Sequence, residues 1–493
     1  MKQRDQELLD FIFSKDSTAI HRVAFFEFDF LSWLLFHFPG EFDHAMANFQ
    51  IEYCETLEDG MDVFFVGFRE CAKSMILTYY YVWVICYKKR RFIMHYNSEM
   101  EQAKAMLIDV IGILQETESI TKDYGHLYLP PWVVKKWNSK PKTRPEFITE
   151  NGIKMKAMSL WKSPRGAKFV YKWVTYRPDL AGFDDIDNLG NTENPKIILK
   201  DVNFILWEVM WGMSRAQRIF LWNVIKEDGR IPRLKKHFEG NPKIKVFWIP
   251  IRIKGIIQWK RFVATDKEAE EKNRGVTNSR EEVISLETLR RDQGSINFSQ
   301  NFNLIAYKSW QAIISKTNIK YRYDRPQKVY TVMGIDPAYS EKTLSDPIGI
   351  AITHHYTTPE QKKIKYIEDV WELRESEKNY EKFVSFVCEK YRLHGVNVIR
   401  IEINNGGGIL AWMLKAKWLA VIEVDQKKDK IQNMLENQGA YERGEVYLRA
   451  GMDSKFEEQL LGFPNTENDD MVDASNLSFK EEKMWGFTTS VKK

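Results

Sequence analysis

Two groups of residues in this sequence have the types and spacing to do chemistry. Gly67-Phe68-Arg69-Glu70-Cys71-Ala72-Lys73-Ser74 fits the pattern G-x-x-x-x-[GA]-K-[ST]. Backbone N–H groups of such a loop, with the N-terminus of a following helix, cradle phosphates; Lys73 would meet the β- and γ-phosphates and the Ser74 hydroxyl would hold Mg2+. Ala72 stands where a second glycine is usual. A phosphate loop also needs an acid at the end of another strand. The stretch Arg177 to Asp185 ends on two, Asp184 for the metal and Asp185 to polarise water, although a solvated turn of Asp184, Asp185 and Asp187 reads equally well.

The second group is carboxylates alone: Asp336 in MGIDPA, Glu402 in IRIEINN, and Asp469, Asp470 and Asp473 in NDDMVDA. Carboxylate oxygens suit hard cations such as Mg2+ or Mn2+, and two such ions about 4 Å apart would activate water and stabilise the leaving oxygen of a phosphodiester. On a helix Asp470 and Asp473 share a face, which makes Asp470 the favoured ligand and Asp473 a second candidate, with Asp469 pointing elsewhere. Taken singly, each acid has a plainer use: Asp336 before Pro337 in a turn, Asp469-Asp470 as a helix N-cap.

These residues need elements to bring them together. In the N-terminal part, Asp62–Val66 reads as a buried strand, Lys73–Tyr87 as a helix, Arg91–Tyr96 as a strand and Ser98–Gln115 as a helix opened by a Ser98/Glu101 capping box. That alternation implies a parallel α/β sheet. After Arg325-Pro326-Gln327-Lys328 the texture changes. Strand-like runs at Val329–Ile335, Ile348–His355 and Lys363–Trp371 precede a helix at Asn379–Tyr391, a strand at Val396–Ile403, a helix at Ile409–Lys417, a strand at Leu419–Val424 and a last helix at Asp470–Phe479. Three consecutive strands and then alternation is the element order of a ribonuclease H-like fold.

Composition narrows the field. A chain of 493 residues is long enough for two to four domains, and 44% hydrophobic residues exclude wholesale disorder. Because 73 Lys and Arg nearly balance 68 Asp and Glu, any nucleic-acid surface must be local. Lys88 to Arg91, Arg233 to Lys236 and Lys427 to Lys430 could neutralise phosphates, and each also reads as solvated surface. Cys54, Cys71, Cys86 and Cys388 form no CxxC pair, which fits a reducing compartment and neither a disulfide framework nor a zinc knuckle. The apolar run Met75–Tyr87 is too short for a membrane span and reads as a buried helix. His354-His355 lacks partner cysteines, so a metal role is not expected there.

With these residues in place, the sequence resembles the large terminase subunits of tailed bacteriophages. Arg69 sits where that family carries an arginine inside its phosphate loop. Asn151-Gly152, Ser163-Pro164-Arg165-Gly166 and Arg177-Pro178 look like its run into the acidic motif, and Arg218–Asn223 (RIFLWN) looks like its coupling motif. Trp259 to Phe262 and Leu289 to Phe302 are similar to its linking subdomain, while GIDPA, Ser345-Asp346, IEINNGGG and DDMVDA look like its nuclease half. The resemblance implies a P-loop ATPase domain over 1–235, a linking subdomain over 236–324 and a ribonuclease H-like nuclease domain over 325–493. It further implies that Arg69 contacts the γ-phosphate, that Asn223 couples phosphate loss to movement, and that ATP with Mg2+ or Mn2+ is used. Asp346 could be a further ligand or a turn residue. The expected partners are duplex DNA, a portal protein and a small terminase subunit, with a homo-oligomeric ring docked transiently on the procapsid in the host cytoplasm and no membrane. Competing readings are a helicase-like or repair ATPase carrying a nuclease, and a DNA-binding scaffold with decayed sites. The polar tail Glu481–Lys493 reads as a docking tail or a frayed end.

Overall fold

The computed structural model describes residues 6–42, 44–128, 145–160, 162–185, 195–223, 229–308, 311–324, 330–337, 347–373, 380–404, 407–426, 430–466 and 468–480. Asp187, Asp346, Lys427, Lys428 and the tail 481–493 lie outside them. The chain divides into two compact units, Met1–Thr288 with Ser299–Tyr307, and Leu289–Phe298 with Lys308–Lys493.

The first unit is built on β1 (Asp62–Gly67), β2 (Phe92–Asn97), β3 (Glu146–Ile148), β4 (Lys154–Ser159), β7 (Leu180–Asp184), β8 (Gln217–Trp222) and β9 (Ile244–Ile249). Two further short strands, β5 (Phe169–Tyr171) and β6 (Val174–Tyr176), form a separate hairpin. The sheet order is β3-β4-β2-β7-β8-β1-β9, with antiparallel pairing only at β3. Its central strands are buried along their length, which is why DVFFVG and QRIFLW read as continuous apolar runs rather than alternating ones. Phe64, Val66, Tyr96, Phe183, Phe220 and Trp222 form the heart of the core. Helix Lys73–Cys86 is buried nearly end to end, as its composition requires. Among the described residues no helix is long and apolar enough to cross a membrane.

One local expectation for this unit needs correcting. Ser98 makes no capping box: the helix spans Met100–Glu116 with Glu99 as N-cap, and the Ser98 hydroxyl donates to Asn97 Oδ1 instead. The aromatic N-terminal helices, unread in the sequence, pack on helix Lys73–Cys86, with Trp83 Nε1 donating to the Phe26 carbonyl at 2.9 Å.

The boundary expected at residue 235 also moves. β9 follows it and pairs with β1 in parallel over six residues, so 244–249 belong to the first sheet. Between β9 and the second sheet lie β10 (Arg252–Ile253) with β11 (Ile256–Ile257), and β12 (Phe262–Val263) with β13 (Ile284–Ser285). The expected linking segment is then divided: 299–307 fold with the first unit, while 289–298 and everything from Lys308 fold with the second.

The second unit is built on β14 (Lys320–Arg322), β15 (Tyr330–Asp336), β16 (Ile348–Thr357), β17 (Lys363–Leu373), β18 (Val398–Glu402), β19 (Val421–Val424) and β20 (Val446–Arg449), in the order β14-β20-β17-β16-β15-β18-β19. β15, β16 and β17 form an antiparallel meander, and β18 and β19 add in parallel beside β15. This is the ribonuclease H-like arrangement that the element order implied. Helices Lys430–Glu442 and Ser454–Gly462 and strands β14 and β20 come in addition.

Helix Asp470–Ser478 lies flat against this sheet, buried along its whole length. Glycines make that possible: a Cβ on Gly334 would sit 2.0 Å from the Ala474 carbonyl oxygen, and one on Gly349 2.0 Å from the Asp470 carbonyl oxygen. Hydrogen bonds hold the helix end, from His355 Nε2 to the Ser478 carbonyl at 2.8 Å and between Thr353 Oγ1 and Ser478 Oγ at 2.6 Å. His354 meets Thr331 Oγ1 at 2.9 Å, so both histidines serve the fold.

Candidate functional site: a phosphate loop and a carboxylate cluster

β1 delivers the loop from Gly67, and helix Lys73–Cys86 begins at its far side, with Glu70 and Ala72 in the left-handed region at φ 67° and 66°. Alanine tolerates that conformation at a cost that glycine avoids, which is where the departure from the usual motif falls. A Cβ on Gly67 would come within 2.5 Å of the Phe65 ring and 2.8 Å of Cys71 Sγ, so this position must stay bare. The loop is braced from behind: Phe68 N–H donates to the Ile249 carbonyl, Arg69 N–H donates to the Asn301 carbonyl at 2.7 Å, and the Phe68 ring packs on Phe262. The Arg69 side chain is exposed.

Strand order brings the partners in. β8 lies between β1 and β7, so Asn223, just past β8, stands between Lys73 and Asp184 at the carboxyl ends of three adjacent parallel strands. Ligands of open α/β sheets bind at that edge. Buried Lys73 donates from Nζ to Asn223 Oδ1 at 3.1 Å. The Ser74 side chain lies close enough to the Asp184 carboxylate to pull its pKa down. Burial and the neighbouring Asp185 push the Asp184 pKa up to about 7, against the pull of Lys73 and Ser74. Its Oδ1 is buried with no hydrogen-bond partner among the described residues, which suits a cation. Asp185 is exposed beside it at φ 42°. Gly182, inside β7, is needed because a Cβ there would meet the Tyr81 hydroxyl at 1.8 Å.

Other stretches singled out in the sequence serve the scaffold. Asn151 Nδ2 donates to the Ile85 carbonyl at 2.7 Å, Arg165 pairs with Glu208 at 2.9 Å, and Arg177 reaches the Ala167 carbonyl. Arg90 donates to Gln217, and Lys235 pairs with Glu239 and lies over the Trp248 ring.

In the second unit Ile335 pairs with Ile401 in parallel register, which sets the next residues, Asp336 and Glu402, side by side on neighbouring strand ends. Asp336 faces Gly349 across the β15–β16 ladder, and Gly349 lies beneath the Asp470 backbone, so the helix delivers Asp470 and Asp473 to the same place. Electrostatics agree. Burial and Asp336 raise the Glu402 pKa; burial and Asp336 push that of Asp470 up to about 7; burial raises that of Asp473 well above its ordinary value. Asn404 Nδ2 holds Glu402 Oε1 at 3.0 Å, and Gly407 lets the following helix approach, since a Cβ there would lie 1.9 Å from the Glu402 carbonyl oxygen. Clustered acids that raise one another's pKa need positive charge, and their all-oxygen donor set fits Mg2+ or Mn2+.

Two features run against the sequence reading. Asp469 does not point away: its Oδ1 meets Lys430 Nζ at 2.9 Å, and Lys430 also pairs with Asp473. Lys430, expected on a basic surface run, is therefore part of the carboxylate cluster. No spacing in the sequence signals that meeting.

No family model and no curated protein matches this sequence. Solved structures do. The large terminase of a thermophilic bacteriophage superposes with a TM-score of 0.56 at 10% identity, covering 88% of this chain and 98% of that one. The same terminase in complex with ATP-gamma-S gives a TM-score of 0.55 at 10% identity with the same coverage. Its ADP complex gives 0.54 at 9% identity, covering 85% of this chain and 94% of that one. Through both units, the chain has the fold of the bacteriophage large terminase.

Proposed function

We propose that this chain is the motor and nuclease of a viral DNA-packaging machine. The observation that carries the reading is that one chain of this fold holds both chemical centres assembled: Lys73, Ser74, Asn223 and Asp184 at one sheet edge, and Asp336, Glu402, Asp470 and Asp473 around another. The terminase of the thermophilic phage was solved with ATP-gamma-S and with ADP, and here ATP is assigned to the Gly67–Ser74 loop. Lys73 binds the phosphates, Ser74 and Asp184 hold Mg2+, Asp185 orients the attacking water, Arg69 reaches the γ-phosphate, and Asn223 reports phosphate loss through its bond to Lys73. In the second unit, Asp336, Glu402 and Asp470, with Asp473 beside them, hold Mg2+ or Mn2+. Divalent ions bound there supply the positive charge that phosphodiester cleavage requires.

ATP hydrolysis then drives duplex DNA into a capsid, and the nuclease cuts concatemeric DNA at the start and end of packaging. The same reading places a ring of copies on the portal, with a small terminase partner, transiently docked on the procapsid in the host cytoplasm. Purified protein should hydrolyse ATP and, with Mn2+, nick a supercoiled plasmid, while leaving a forked duplex unseparated. Strand separation would point to a helicase, and failure to turn over ATP or cut DNA would leave only a scaffold.

A further inference from the structure

The carboxylate cluster already contains a cation of its own. Lys430 opens helix Lys430–Glu442, and its Nζ pairs with Asp469 Oδ1 at 2.9 Å and with Asp473 Oδ2. The Asp473 side chain is only 3% exposed, so its negative charge cannot be left to water. Lys430 also lowers the pKa of Glu402, Asp470 and Asp473 against the effect of burial. The charge of the lysine acts on Asp336 as well as on Asp469 and Asp473. Asp336 and Glu402 lie side by side at strand ends with Asp470 delivered above Gly349, and Asp469 and Asp473 converge on the lysine.

We propose that the Lys430 ammonium fills the second cation position of this site, so that the chain takes up one divalent ion, on Asp336, Glu402 and Asp470, where an all-carboxylate cluster would take two. The inference rests on the metal reading above and refines it. A tethered ammonium is always at hand, whereas a divalent ion competing for Asp473 would first have to displace it from a buried partner and strand a charge. The chain's own lysine also supplies one positive charge in place of two, without any loss of water from a hydrated ion. Lys430 is therefore a positioning residue. It holds Asp473 and Asp469 in place and leaves the divalent ion to the other three acids.

Counting bound Mn2+ by electron paramagnetic resonance on the full chain, without nucleotide, tests this. Counted in an Asp184→Asn background, which silences the phosphate-loop site, the otherwise wild-type chain should bind one ion, lost in Asp336→Ala. Lys430→Met should bind two, and Lys430→Arg, which keeps the charge, should bind one. Lys430→Gln serves as a second neutral variant should the methionine disturb folding. Two ions on the otherwise wild-type chain, or one on a folded Lys430→Met or Lys430→Gln, would overturn the proposal. The reading beneath it fails differently. An otherwise wild-type chain that binds one ion but never nicks plasmid DNA leaves the count standing and removes the nuclease, whereas one that nicks and binds two keeps the nuclease and removes the role of Lys430.

Discussion

Lys73 Nζ and Asn223 Oδ1 are 3.1 Å apart, joined by a hydrogen bond from the first residue of the helix after β1 to the residue just past its parallel neighbour β8. The neutral amide holds the buried ammonium in place without adding a negative charge of its own, and it changes partner once a phosphate arrives or leaves. The two residues should therefore fail differently. Lys73→Ala should abolish ATP turnover, and Asn223→Ala should lower kcat by about 10²- to 10³-fold, the range for loss of one preorganised polar group, with a smaller effect on nucleotide affinity. Steady-state phosphate release with equilibrium nucleotide binding separates the two. Normal turnover in Lys73→Ala would refute the loop assignment.

The nuclease centre should fail independently of the motor. Asp336→Asn and Glu402→Gln keep shape and remove charge at the two adjacent strand ends. Plasmid nicking in Mn2+ should drop at least about 10²-fold in each, because charge supplied to the reacting phosphate is the main catalytic term. ATP turnover by the same preparations should be unchanged. A variant that nicks at the wild-type rate would remove that residue from the centre.

Asp184 gives a pH signature with a definite sign. Burial, and then Asp185, push its folded pKa up to about 7, whereas the unfolded chain titrates near 4. The folded state therefore holds the proton more tightly. The contribution of Asp184 to stability is full below about pH 4 and is lost as pH rises through 7. In the absence of nucleotide and metal, Asp184→Asn should flatten that slope and melt a few degrees above wild type at pH 8, with the gap closing toward pH 4, while ATP turnover is lost. Parallel melting curves for the two proteins across that window would contradict the placement of Asp184.

How much of this was readable in the sequence depended on whether a residue's role was local. The phosphate loop was legible because β1, the loop and helix Lys73–Cys86 are contiguous, and the second sheet because its strands follow one another in the order of their runs. Asp184 was ambiguous because Gly182 breaks an apolar strand for a reason visible only in three dimensions, the Tyr81 hydroxyl lying against it. The Ser98 box failed because the helix starts one residue later than the spacing implied, with Glu99 as its N-cap. Lys430 sits 39 residues before Asp469, and no period or spacing links them. Nor could spacing reveal that β9, and then the segment around Asn301, would brace the phosphate loop from the far side of the expected boundary.

Glycines along the second sheet give the sharpest test of how the carboxylate centre is assembled. Gly349 and Gly408 look interchangeable in the sequence, yet a Cβ on Gly349 would lie 2.0 Å from the Asp470 carbonyl oxygen, whereas one on Gly408 would meet nothing within 4 Å. In Gly349→Ala the clash is with backbone, so no side chain can rotate to relieve it and helix Asp470–Ser478 must lift from β16. Such overpacking costs about 1–3 kcal/mol. The lift would carry Asp470 and Asp473 away from Asp336 and Glu402, so plasmid nicking should fall at least about tenfold with ATP turnover unchanged. Gly408→Ala, in the first turn of helix Gly407–Ala416, should instead leave nicking intact and stabilise by up to about 1 kcal/mol, the helix preference of alanine over glycine. Thermal melts and nicking rates on the two variants decide it: equal behaviour of the pair would mean that the helix does not owe its seat, or the acids their meeting, to the bare backbone of β16.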